Sequence, residues 1–102
     1  MEKLIAGKNI QVNDEGYLTD FNQWDKEVAT EIATENKITL NNRHWEVIGF
    51  LQDQHKQQVP LSIRKIGKSG VIDIKEFYEL FPNGPLKIST KIAGIPKPAS
   101  CI

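Results

Sequence analysis

The sequence predicts an α+β domain, mostly α, in which a small N-terminal β-hairpin or meander packs on a helix-turn-helix-like bundle that ends in an extended C-terminal arm. Three observations lead there. Apolar and polar residues alternate only near the N-terminus, apolar residues recur at helical spacing from Val28 onward, and the last eight residues hold two prolines that cannot continue a helix.

The elements follow in order. Leu4-Ile5-Ala6, a turn at Gly7-Lys8, then Ile10 and Val12 make a short hairpin. Asp14-Glu15-Gly16 is a second turn, with Tyr17-Leu18 as a third short strand. A helix is predicted over 23–36, capped by Asn22, with Val28, Ala29, Ile32 and Ala33 as its apolar stripe and Asn36 as a left-handed stop. The next helix, 42–57, is capped by Asn41. His44, Val47, Ile48, Leu51 and His55 fall within about 100° of arc, flanked by Trp45 and Phe50, so this is the expected central helix. Pro60 is placed near the first position of a short helix with Ile63 and Ile66 inward and Arg64, Lys65 and Lys68 outward, ended by Gly67 to Gly70. Asp73 and Glu76 form a capping box for a helix over 74–81 whose apolar side is Phe77, Leu80 and Phe81. Pro82-Asn83-Gly84 turns the chain into a last helix that Pro85 opens and Gly94 closes, with Ile88 and Ile92 on its buried face.

At 102 residues and 39% hydrophobic, the chain is one globular domain, 1–94, with 95–102 as a flexible arm. It has no apolar run near 18 residues and no signal-peptide h-region. Its single cysteine cannot form an internal disulfide and suits a reducing cytoplasm. Net charge is zero but unevenly spread: residues 1–59 hold six Lys/Arg against ten Asp/Glu, and residues 60–102 hold seven against three. The basic half carries the thiol, which favours an acidic partner or a phosphate backbone nearby.

Pro96 and Pro98 make the arm extended, with a reach of about 25 Å at polyproline rise. Cys101, next to the C-terminus, is the one nucleophile with a distinctive setting. A terminal cysteine can also be incidental, and the residues alone leave both readings open. The Ile102 carboxylate disfavours the thiolate, whereas Lys97, and Lys87 or Lys91 if the arm folds back, favour it. His44 and His55 share a helix face but stand about 16 Å apart along the axis, too far for one metal. His44 beside Trp45 reads as a hydrogen-bonded core residue. No Gly-rich phosphate loop occurs. A helix-turn-helix reading would send 74–81 into the major groove. Its outward charges, Asp73, Lys75, Glu76 and Glu79, sum to −2, so direct DNA binding is not expected.

The segment LFPNGP followed by KIAGIPKPASCI resembles the C-terminal signature of the TusE/DsrC family of sulfur-relay proteins. DEGYL at 14–18, Trp24 followed by VATEIA at 28–33, and ITLNNRHWEVIGFL at 38–51 are similar to family segments, with a poor stretch at about 67–74. The resemblance implies a cytoplasmic sulfurtransferase that carries persulfide sulfur on Cys101 and needs no metal or organic cofactor. It also implies partners: an upstream sulfur-donor relay complex of the TusBCD/DsrEFH kind, and downstream either the tRNA thiouridylase of wobble-uridine 2-thiolation or dissimilatory sulfite reductase. No membrane is involved. The DsrC branch has a second cysteine eleven positions before the penultimate one. Residue 90 is Thr, so the chain looks TusE-like, with a single-cysteine DsrC-like accessory or regulatory protein as the alternative. Within this reading Lys91 and Lys97 steer the arm, Pro96 and Pro98 keep it extended, Ile95 anchors its root, and Arg64 contributes to docking.

Overall fold

The computed structural model describes residues 1–99. Strands β1 (Glu2–Ile5) and β2 (Lys8–Gln11) form an antiparallel hairpin, followed by a 3₁₀ turn (Phe21–Gln23) and five helices: α1 (Lys26–Glu35), α2 (Asn42–Lys56), α3 (Ile63–Lys68), α4 (Ile74–Leu80) and α5 (Pro85–Ile92). The hairpin turn is Ala6-Gly7, one residue earlier than expected, with both residues at positive φ, as the twist of a two-residue hairpin demands. Glu31 of α1 stabilises this turn by accepting the Ala6 N–H at 2.7 Å. The third strand shrinks to one bridge, Val12 to Leu18. The Asn13 side chain accepts from the N–H groups of Glu15 and Tyr17, and this curls the segment before a ladder can form.

Helix α1 starts three residues later than expected, and its cap is Asp25, which accepts from Val28 N–H at 2.8 Å, not Asn22. Trp24 stays extended between the 3₁₀ turn and the helix. The left-handed residue after α1 is Lys37 (φ 61°); Asn36 instead bonds back to the Ile32 carbonyl through its side chain. The predicted stripe Val28, Ala29, Ile32, Ala33 is buried.

Helix α2 matches its expected bounds within a residue, with Asn41 as cap. His44 completes that cap: its Nδ1 accepts from Asn41 N–H at 3.1 Å while Nε2–H donates to the Leu80 carbonyl at 2.9 Å. Val47, Ile48 and Leu51 are buried with it, but His55, placed on the same stripe, is exposed, because the last turn of α2 runs past the edge of the core. Helix α3 begins at Ile63 under a Ser62 cap, so Pro60 lies in the preceding loop. Gly67 sits inside α3, where a Cβ would lie 2.4 Å from Ile74 Cγ1; the missing side chain lets α3 and α4 approach. Asp73 caps α4 as expected, but Glu76 does not close a capping box. Its carboxylate takes two hydrogen bonds from Arg43, at 2.7 and 2.9 Å, which ties α4 to α2. That cation holds the Glu76 carboxyl below the usual glutamate range. Phe77, Phe81, Leu86 and Ile92 join residues of α1, α2 and the hairpin in one core, and Tyr17, fully buried, donates its hydroxyl to the Lys87 carbonyl at 2.9 Å.

Candidate functional site

The root of the C-terminal segment is fixed at the end of α5. Pro85 at the first turn needs no N–H partner, and Ser89 and Thr90, both buried, return their hydroxyls to helix carbonyls. The last carbonyls of an α-helix have no partner within it. Here Trp24 Nε1–H donates to the Ile92 carbonyl at 2.8 Å and Gln52 donates to the Ala93 carbonyl at 2.9 Å. Gly94 then turns the chain at φ 75°, and Ile95 N–H bonds back to Thr90. The Ile95 side chain is 1% exposed, so the expected anchor of the arm is a core residue.

Beyond Ile95 the chain leaves the core. Pro96, Lys97 and Ala99 are exposed and Pro98 is half-buried. Lys97 Nζ meets Glu15 Oε2 at 2.9 Å, a contact between positions 82 apart in sequence that lays the arm beside the Asp14–Gly16 turn. Lys97 holds the Glu15 carboxyl below the usual glutamate range, so the pair persists at neutral pH and is lost as pH falls through that lowered value. Lys91 lies over the Tyr17 ring, 5.1 Å from its centroid, and burial together with Lys87 and Lys3 lowers its pKa. On its other side the arm forms a groove of about 290 Å³ with His55, Val59, Pro60 and Leu61.

The expected site residues therefore divide. Lys91, Pro96, Lys97 and Pro98 gather around the arm and its root. Arg64 is exposed on α3, downstream of the groove wall at Pro60-Leu61, and is not among the residues lining the groove. Cys101 lies outside the described residues. Sequence reasoning missed Glu15, Trp24, Gln52 and His55 as parts of this region. Trp24 and Glu15 fall in recognisable segments, but no local spacing says that an indole would close the end of a helix 68 residues away. Among the described residues no helix is long and apolar enough to cross a membrane.

A family model described as DsrC like protein matches residues 4–102. Sulfurtransferase TusE of Escherichia coli (strain K12) is 38% identical, covering 97% of this chain and 98% of its own. Among solved structures, the NMR structure of Allochromatium vinosum DsrC superposes with a TM-score of 0.82 at 34% identity over the whole of both chains. The crystal structure of the oxidized gamma-subunit of dissimilatory sulfite reductase (DsrC) from Archaeoglobus fulgidus gives 0.82 at 32% identity, again over both chains in full.

Proposed function

Because this chain belongs to the DsrC-like protein family, we propose that it is a sulfurtransferase of the relay type, which accepts persulfide sulfur on Cys101 and hands it to a downstream acceptor. The observation that carries the reading is near-complete coverage by a protein named sulfurtransferase, on a chain whose single thiol follows an arm anchored at Ile95. Transfer is redox-neutral. The Cys101 thiolate attacks the outer sulfur of a donor persulfide, the donor's S–S bond breaks, and the donor leaves as a thiolate that takes up the proton. The same exchange, run with an acceptor thiol as attacker, empties the carrier. A thiol near its ordinary pKa of about 8.5 suits both directions, since a strongly acidified thiolate attacks more weakly.

The acceptor in the main reading is the thiouridylase of tRNA wobble-uridine 2-thiolation, and the donor is an upstream relay complex; both place the protein in the cytoplasm. Position 90 supports this branch: the residue eleven before Cys101 is a fully buried Thr, not a second thiol. A single-cysteine accessory role beside dissimilatory sulfite reductase is the alternative. The domain, 1–94, acts as scaffold, and residues 95–102 act as the delivering arm, with Lys97, Lys91 and Arg64 biasing approach toward acidic partner surfaces.

The test is loading. Incubation with a small-molecule persulfide donor, followed by intact mass measurement, is expected to add one sulfur atom to wild type and none to Cys101→Ala. Equal uptake by both proteins, or none by either across several donors, would remove Cys101 from the chemistry.

A further inference from the structure

Four large apolar side chains are exposed among the described residues. Met1 and Leu4 belong to the N-terminal hairpin; Ile74 and Tyr78, 45% and 46% exposed, stand one turn apart on α4. Ile74 packs over Gly67 of α3, so closely that a Cβ there would lie 2.4 Å from Ile74 Cγ1. Both helices turn a buried residue to the core, Ile66 from α3 and Phe77 from α4. The outer flanks of the Gly67–Ile74 contact therefore share one solvent face. At about 100° per residue, Arg64 and Lys68 occupy that flank of α3, and Tyr78 occupies that of α4, with Lys75 at its outer edge. All four are exposed.

The charges on this face are uncompensated. Elsewhere Lys3, Lys8 and Lys97 meet carboxylates, and Lys26, Lys56 and Lys91 lie over aromatic rings. Arg64, Lys68 and Lys75 have neither kind of partner among the described residues. The acids of α4 do not answer them: Asp73 caps the helix, Glu76 is held by Arg43, and Glu79 falls about 140° round from Ile74. An apolar pair bordered by unanswered cations is the layout of a protein interface, with an apolar centre and a polar rim, and Tyr and Arg are the residue types that anchor such interfaces. A phosphate backbone would satisfy the cations but leave Ile74 against phosphate and water. An apolar recess edged with carboxylates satisfies both, and carboxylates match the guanidinium fork of Arg64.

We propose that this outer α3–α4 face docks the protein that takes sulfur from the carrier, and that the partner presents an apolar recess rimmed by carboxylates. The assignment rests on the sulfur-carrier reading and deepens it: the arm delivers, and Ile74 and Tyr78 hold the acceptor while it does so.

The test compares two acceptors. Wild type, Ile74→Asp, Tyr78→Ala and Arg64→Glu/Lys68→Glu are loaded from a small-molecule persulfide donor. Each is then chased with purified tRNA thiouridylase without tRNA, and separately with dithiothreitol. Transfer to the enzyme is expected to fall about tenfold or more in each variant, through KM and not kcat, while transfer to dithiothreitol is unchanged. The deficit of the charge-reversed variant is expected to change with salt and that of Tyr78→Ala to persist. Ile74 also touches Gly67, so Tyr78→Ala and the charge reversal, which alter exposed side chains, carry the test if Ile74→Asp does not fold. Equal transfer to the enzyme by all proteins would overturn the assignment, as would a matching loss with dithiothreitol. A loss that appears only when tRNA is added would give the face to a phosphate backbone and overturn it too. Wild type that loads but passes nothing to the enzyme overturns the docking assignment and leaves the carrier reading standing. Wild type that never loads removes the carrier reading; titration of the unloaded proteins against the same enzyme then decides the face, which is upheld by weaker binding of the variants and overturned by equal or absent binding.

Discussion

Gly94→Ala is expected to lower the unfolding free energy by about 2–5 kcal/mol, a large fraction of what a domain of this size possesses. Two costs add. At φ 75° an alanine enters the left-handed region, which costs roughly 1–2 kcal/mol. Its Cβ would also lie 2.4 Å from Trp24 Cδ1 and 2.8 Å from Cγ. The indole is poorly placed to retreat: it donates to the Ile92 carbonyl and stacks on Phe21 with centroids 6.1 Å apart. Forcing it aside adds overpacking strain of about 1–3 kcal/mol and strands a helix-end carbonyl. Urea unfolding followed by tryptophan fluorescence measures the loss. A change below about 1 kcal/mol would mean that the end of α5 is not clamped by Trp24 as described.

The second large effect separates scaffold from arm. Ile95→Ala is expected to cost about 2–4 kcal/mol, the range for truncating a core aliphatic side chain, because Ile95 is buried in the main cluster. Deleting 96–102, by contrast, is expected to leave the denaturation midpoint nearly where it was, since the described residues it removes are exposed Pro96, Lys97 and Ala99 and half-buried Pro98, with one exposed ion pair, Lys97 to Glu15. The deletion is expected to remove all sulfur loading. Paired measurements on the two variants thus locate the boundary between fold and delivery. Equal losses of stability would place residues beyond Ile95 inside the cooperative unit.

Periodicity and caps made much of this fold legible. The α1 stripe, the α2 core face, and the caps at Asn41 and Asp73 are local patterns, and the structure keeps them. The failures share a cause: a long-range contact outcompeted a local preference. Glu76 reads as the closing residue of a capping box, yet a guanidinium 33 positions away takes its carboxylate with two charge-assisted bonds. Asn22 reads as a cap, yet Trp24 is held extended by its bond to α5, so the helix restarts under Asp25. His55 satisfies the apolar arc of α2 by angle, but an arc says nothing about where the core ends along the axis. At the site, the proline-rich tail and lone cysteine were visible in the sequence, whereas the Lys97–Glu15 contact and the groove against His55 arise only when the chain folds back on itself.

The most direct measurement is a chase. Protein loaded with isotopically labelled sulfur, freed of its donor, is mixed with a thiol-bearing acceptor and followed by intact mass. The expected result is departure of one labelled sulfur per chain, its appearance on the acceptor, and recovery of Cys101 as a free thiol. Label that stays on the protein, or leaves only as free sulfide while the acceptor remains unlabelled, would contradict a carrier.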